Sequence, residues 1–149
     1  MNGLFCGLGI FVLAAVAATG AGAARTAERA MVVIDERDTV RDEPPPHGAI
    51  GMSTAYRISD AVPDRSMEFR KRVLHIDAAI GSHRIDHDEV YYVLSGLGEV
   101  SSGKQTMSLK PGMAAYLYRG ETVGIRQKGA APLVLIISYP LATPVHVPG

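Results

Sequence analysis

The residues able to do chemistry concentrate in one stretch, Gly81-Ser-His-Arg-Ile-Asp-His-Asp-Glu89. His83 and His87 stand there beside the carboxylates Asp86, Asp88 and Glu89. Imidazole and carboxylate are the usual donors to a divalent transition metal, and also the usual acids and bases of metal-free proton transfer. Spacing limits how they combine. On a straight strand His83 and His87 would stand about 13 Å apart, at about 3.3 Å per residue. Donors on one metal lie roughly 3–4 Å from each other. The segment must therefore turn, and Asp86-His87-Asp88 is polar enough to be the turn. His83 then closes one strand and Glu89 opens the next, side by side. On this reading His83 and Glu89 are candidate metal ligands and a candidate catalytic acid–base pair. His87, at the bend, is a candidate third ligand if it reaches inward and a solvated turn residue if it does not.

A carboxylate facing an apolar enclosure needs a partner. Without a metal, the candidates for Glu89 are His83, an arginine such as Arg70 or Arg126, or a tyrosine. His75 shares a strand face with Phe69 and Val73 and is expected to be a hydrogen-bonded core histidine. His47 follows three prolines and His146 lies near the end of the chain, so both are expected to be exposed. His47 and His75 are reserve donors should the fold bring them near.

The elements that must position these groups read as short strands. Candidates are Met52–Ile58, Met67–Ile76, Glu89–Leu94, Glu99–Ser101, Lys104–Leu109, Met113–Tyr118, Thr122–Gln127 and Leu133–Tyr139. Between them stand Ser95-Gly96, Ser102-Gly103, Pro111-Gly112, Arg119-Gly120 and Gly129, which is turn chemistry at short, even spacing. Ser102-Gly103 has the form of a two-residue hairpin loop. The run Leu133–Ser138, dominated by β-branched residues and Leu, suits a strand buried on both sides or a core seam. No helical stripe of useful length follows residue 30. The pattern predicts an all-β barrel or sandwich.

Composition narrows the function. Fifteen Lys and Arg balance fifteen Asp and Glu, so no basic surface exists to displace counterions, and nucleic acid is not an expected partner. Hydrophobic residues make up 47%, too many for a disordered chain. The single cysteine, Cys6, excludes an intramolecular disulfide and a cysteine-rich zinc module.

Met1 to Ala24 carries no charged side chain, and Ala21-Gly22-Ala23 fits a cleavage site. The segment reads as a secretory signal peptide over residues 1–23, placing the protein in the periplasm or outside the cell. The alternative is an uncleaved anchor, since Leu4–Ala24 is about long enough to span a bilayer; that is the one membrane contact expected. Residues 24–48 read as an extension in which Met31–Ile34 is a candidate edge strand, ending in the linker Pro44-Pro45-Pro46. Residues 49–140 form the barrel domain, and 141–149 a surface tail.

The stretch Gly81–Gly96 resembles the first motif of the cupin superfamily, with His83 at its first histidine, Glu89 at its glutamate and Gly96 six residues later at its glycine. The second motif is echoed by Gly112 and Gly120, with Tyr118 in place of its proline. The resemblance spans roughly Phe69 to Tyr139 and implies a double-stranded β-helix, or jelly roll. It also implies a divalent metal (Fe, Mn, Ni or Zn), a small-molecule ligand and a homodimer, with dioxygenase, isomerase, epimerase or decarboxylase chemistry. The departures lie at the ligand positions. Ile85 and Val123 stand where the family has histidines, and Gln127 where it has an asparagine. Vacated ligand positions would make the mouth partly apolar, which suits an organic ligand. Tyr91 and Gln127 are then candidate ligand-binding residues, with Tyr116 and Tyr118 as further lining. Three functions stay open: a metal-dependent enzyme on His83, His87 and Glu89; a metal-free module binding a sugar or organic acid, with a proton-transfer variant; and a barrel whose role is interaction.

Overall fold

A computed structural model describes residues 29–145. The chain divides after Met31, and every strand lies in the unit that begins at Val32. The strands are β1 (Val40–Glu43), β2 (Ser53–Tyr56), β3 (Arg65–Leu74), β4 (Ala79–Arg84), β5 (Glu89–Ser95), β6 (Leu97–Ser102), β7 (Gln105–Leu109), β8 (Ala114–Leu117), β9 (Thr122–Lys128) and β10 (Leu133–Val145). They form two antiparallel sheets. One has six strands in the order β1-β2-β3-β10-β5-β8, the other four in the order β4-β9-β6-β7. Short 3-10 turns at Glu36–Thr39 and Ile58–Ala61 precede β1 and β3.

Alternation along each strand decides what enters the space between the sheets. β10 turns Leu133, Leu135 and Ile137 inward, β5 turns Tyr91 and Val93, and β9 turns Val123 and Ile125. With Leu74, Ile80, Ile85, Val100, Leu109 and Leu117 they make one core drawn from both sheets. β10 is the middle of the larger sheet, pairing Ile137 with Arg70 of β3 on one side and with Tyr91 of β5 on the other. The hairpin at Ser102-Gly103 joins β6 to β7 in register, Ser102 opposite Gln105.

One irregularity matters for the site. β4 pairs with β9 at Ile80↔Ile125 and again at His83↔Val123, so β4 spends one residue more than β9 between the two. Such a bulge shifts the alternation by one. It lets odd-numbered His83 share the inner side with even-numbered Ile80. Gly81, inside the bulge, accommodates the strap that crosses it: a Cβ there would stand 1.5 Å from the carbonyl oxygen of His47, and its N–H donates to the Pro46 carbonyl at 3.3 Å. Gly96, the motif glycine, has φ +78° and would push a Cβ to 2.1 Å from the Pro132 carbonyl.

The observed boundaries correct several expectations. Within the extension expected before the barrel, Val40–Glu43 is the edge strand β1, paired to β2. The candidate edge strand Met31–Ile34 forms no strand; Met31 and Val33 are among the most exposed apolar residues. The expected tail begins inside a strand, since β10 runs through Pro140 to Val145 and meets Arg65. Ala79–Arg84 is β4, the strand that His83 was expected to close, though it runs one residue further. Leu133–Ile137 is buried on one face and half-buried on the other, not on both. Cys6, His146 and the signal-peptide segment lie outside the described residues.

Gly81→Ala is therefore expected to destabilise the fold by about 1–3 kcal/mol or more, measured by urea denaturation. The same variant should detach the Pro44–Gly51 strap, seen as loss of the mutual ring-current shifts of His47 and His83 by NMR.

Candidate functional site

A cavity of about 280 Å³ opens at one end of the space between the sheets, with Arg70, Arg72, His83, Glu89, Tyr91 and Tyr139 among its lining residues. The turn predicted after His83 exists, but it does not set His83 and Glu89 side by side. β4 belongs to the smaller sheet and β5 to the larger. The two residues reach the same cavity from opposite sheets.

Glu89 is 6% exposed. Among the described residues its carboxyl group makes no hydrogen bond and no ion pair. Burial pushes its pKa up from 4.5 to about 7, against the pull of the Arg70 charge. Tyr91, beside it, is 1% exposed, and burial together with Glu89 raises its phenol, which stays protonated. Neither the Tyr91 nor the Tyr139 hydroxyl has a protein hydrogen-bond partner among the described residues. Three buried or half-buried polar groups thus converge on one space without using each other up. Buried polar groups are normally satisfied, so their free capacity belongs to whatever fills the cavity.

His83 holds its ring by Nδ1, 2.9 Å from the Gly81 carbonyl. This leaves Nε2 as its free edge. Its face is covered by His47, with centroids 3.5 Å apart and planes within 8°. His47 was expected merely exposed; it is solvent-exposed, yet it also lines the cavity. The strap that carries it is bent by positive φ at His47, Gly48, Ala49 and Gly51 and is tied down by the Ala79 N–H donating to the Ile50 carbonyl at 3.1 Å. Burial, then the neighbouring His83, lowers the pKa of His47. The signal that could have found it is the proline run, which fixes an extended approach, but sequence does not say what that approach leads to.

The wall opposite His83 is the inner face of β3. Glu68, Arg70 and Arg72 point inward from it. Arg72 donates to Ser53 Oγ at 2.7 Å and to Glu43 at 2.9 Å. Arg70 Nε donates to Glu68 at 2.8 Å. Burial would raise both carboxylates, yet Arg57 and Arg72 hold Glu43 below the usual range, and Arg70, Ser59 and Arg65 do so for Glu68.

The metal expectation meets this geometry poorly. His87 bonds Asp86 through Nδ1 at 2.8 Å and stacks on Tyr139 at 4.3 Å. Ile85 and Val123, at the positions of the missing histidines, are 2% and 0% exposed and belong to the core. Among the described residues no group of three or more His, Cys, Asp or Glu is placed to hold a metal ion. His83, His87 and Glu89 are thus not brought together as a chelating triad, and the residues present do not fit the cation.

Other candidates part company with the cavity. Gln127 is buried but spent on structure: Nε2 donates to the carbonyls of Lys128, Gly129 and Ala131, and Oε1 accepts from the Asp77 N–H. It brackets the turn before β10 and is not among the residues that line this cavity. Tyr116 and Tyr118 are 54% and 66% exposed, and Tyr116 donates to Asp88 at 2.6 Å. His75 lies just beyond β3, half-buried, 3.1 Å from Thr54 Oγ1, and is not in the core. Arg126 is exposed on β9. Arg70 is the one arginine of the two expected near Glu89 that shares its cavity.

No family model matches the chain, and no curated protein sequence does. Solved structures do resemble it. A predicted oxalate decarboxylase from Thermotoga maritima superposes with a TM-score of 0.66 at 20% identity, covering 74% of this chain and 99% of that one. A polyketide cyclase from Streptomyces resistomycificus gives 0.62 at 18%, over 78% and 83%. A cupin 2 conserved barrel domain protein from Rhodopseudomonas palustris gives 0.60 at 15%, over 70% and 73%. Likeness at these identities carries architecture, and the architecture agrees with the spacing of His83, Glu89 and Gly96: the chain has the fold of the cupin superfamily.

Proposed function

We propose that this chain is an exported, metal-independent cupin that binds a small organic molecule in its barrel mouth and moves a proton on it. The carrying observation is Glu89. It is buried, faces the cavity without a protein partner, and sits near pKa 7 because of its burial. A carboxyl group so placed exists in both protonation states at neutral pH, as a general acid–base requires. The Tyr91 and Tyr139 hydroxyls supply neutral donors to a developing oxyanion. The His83 imidazole, anchored at Nδ1, offers Nε2 from the opposite sheet. Together they favour proton abstraction next to a carbonyl. The similar structures include a predicted oxalate decarboxylase and a polyketide cyclase, which is compatible with such a site without selecting a reaction. Export rests on the uncharged apolar segment at the start of the sequence.

A panel of enolisable carbonyl compounds incubated in D₂O tests the proposal. The chelator-treated protein should catalyse hydrogen–deuterium exchange at the α-carbon of at least one member, followed by NMR. Glu89→Gln should slow that exchange by about 10²-fold or more. Exchange that vanishes with chelator and returns with Mn²⁺ or Fe²⁺ would reinstate the metal reading.

Glu89 also carries a stability signature. Its pKa is raised on folding, so its contribution is whole below pH 4.5 and is lost as pH rises through about 7. Glu89→Gln, neutral throughout, should match the wild type near pH 4.5. At pH 8 it should exceed it by on the order of 3 kcal/mol, as measured by denaturant unfolding at the two pH values.

A further inference from the structure

The charged wall of the cavity does not balance. Seven ion pairs link Arg57, Arg65, Arg70 and Arg72 to Glu43, Asp60 and Glu68. Four guanidinium groups share three carboxylates, which leaves one positive charge uncompensated within the network. Its carboxylates are already engaged. Glu68 receives Ser59, Arg65 and Arg70, and Glu43 receives Arg57 and Arg72. Two members line the cavity, Arg70 and Arg72. Arg72 is 4% exposed. Burial, with help from the Arg70 and Arg57 charges, lowers its pKa in spite of Glu43.

Glu89 offsets this charge only in its ionised fraction and only through space. It makes no ion pair with Arg70 among the described residues. β3 and β5 flank β10, which sets their backbones about 10 Å apart. A cationic surplus that is half-buried at Arg70 is stabilised by a further counter-charge. Every other polar group that faces this space unpartnered from the larger sheet, apart from Glu89, is a hydroxyl donor.

We infer that the ligand is a small carboxylic acid bound as its anion, with its carboxylate against Arg70 and the reacting carbon toward Glu89. The inference rests on the acid–base reading for what Glu89 does, but not for what Arg70 holds. Arg70 acts as an anchor from the β3 wall, its Nε held by Glu68 at 2.8 Å and its Nη2 3.7 Å from Asp60, so that Nη1 is the nitrogen left for a ligand, with little further ordering of the side chain needed. The Tyr91 hydroxyl, in the row set by Ile137, lies across the same opening.

The test is titration of the full-length protein, by ¹⁵N NMR and calorimetry, with acetate, lactate and benzoate, with their amides, and with inorganic phosphate. At least one carboxylate should bind about tenfold or more tightly than its amide and shift the Arg70 Nε–H resonance. Arg70→Gln should abolish that preference, and Arg70→Lys should recover part of it. Glu89→Gln should bind the same carboxylate as well as or better than the wild type, because a competing negative charge is gone. Amides equal to acids in the wild type, a need for no variant, overturn the proposal. So does phosphate binding more tightly than every carboxylate, or a preference that survives Arg70→Gln in a protein of unchanged melting temperature. Carboxylate binding without Glu89-dependent exchange would keep the anion site and remove the acid–base function; exchange on neutral compounds alone would do the reverse.

Discussion

A guanidinium group leaves water only if counter-charge comes with it, and β3 turns two of them inward. This is the constraint on which the larger sheet depends. Arg70 and Arg72 occupy positions where a barrel strand ordinarily places apolar residues; β3 itself supplies one of their carboxylates, Glu68, and the others come from Glu43 of β1 and Asp60 of the 3-10 turn before β3. The region before the barrel motifs is thereby made part of the domain. Ser53 of β2 completes the arrangement by accepting from Arg72 and donating to the Glu43 carbonyl at 2.8 Å. What looks in sequence like a charged, proline-broken approach is the electrostatic backing of the cavity wall.

The opposite wall is governed by sterics. The extra residue in β4 and the missing side chain at Gly81 let the strap pass close enough to lay His47 flat on His83. With Ile85 and Val123 in the core, the smaller sheet presents the His83 imidazole at the mouth beside Ile80 and Arg84. The two sheets therefore bring unlike chemistry to one space. One offers a cationic fork, two phenols and a carboxyl of shifted affinity for its proton, the other an imidazole on which the strap stacks a second ring.

Much of this was legible in the sequence. Alternation and turn residues located eight of the strands to within a few residues, because half-buried antiparallel strands write a period of two. The spacing of His83, Glu89 and Gly96 located the mouth. Three things were not legible. The bulge in β4 leaves no mark, since Gly81 and Ser82 also read as a turn. The partnership of His47 with His83 is a contact between distant segments. The roles of Glu43, Glu68 and Arg72 depend on which strands neighbour β3, and a local pattern cannot give strand order. The placing of Gln127 was not legible either: a motif position was matched, but its amide is engaged by three carbonyls and an N–H.

The position of β10 has a consequence for how the molecule comes into being. It is the last strand in chain order among the described residues, yet it is the middle of the six-stranded sheet, flanked by β3 and β5. Until it is delivered, β3 and β5 have no common neighbour, and neither the arginine wall nor the Glu89 enclosure has closed. Assembly of the larger sheet must wait for a segment some sixty residues downstream of β3, a long-range closure that favours slow, late consolidation. A polypeptide built this way stays threadable through a narrow channel until nearly its whole length has emerged.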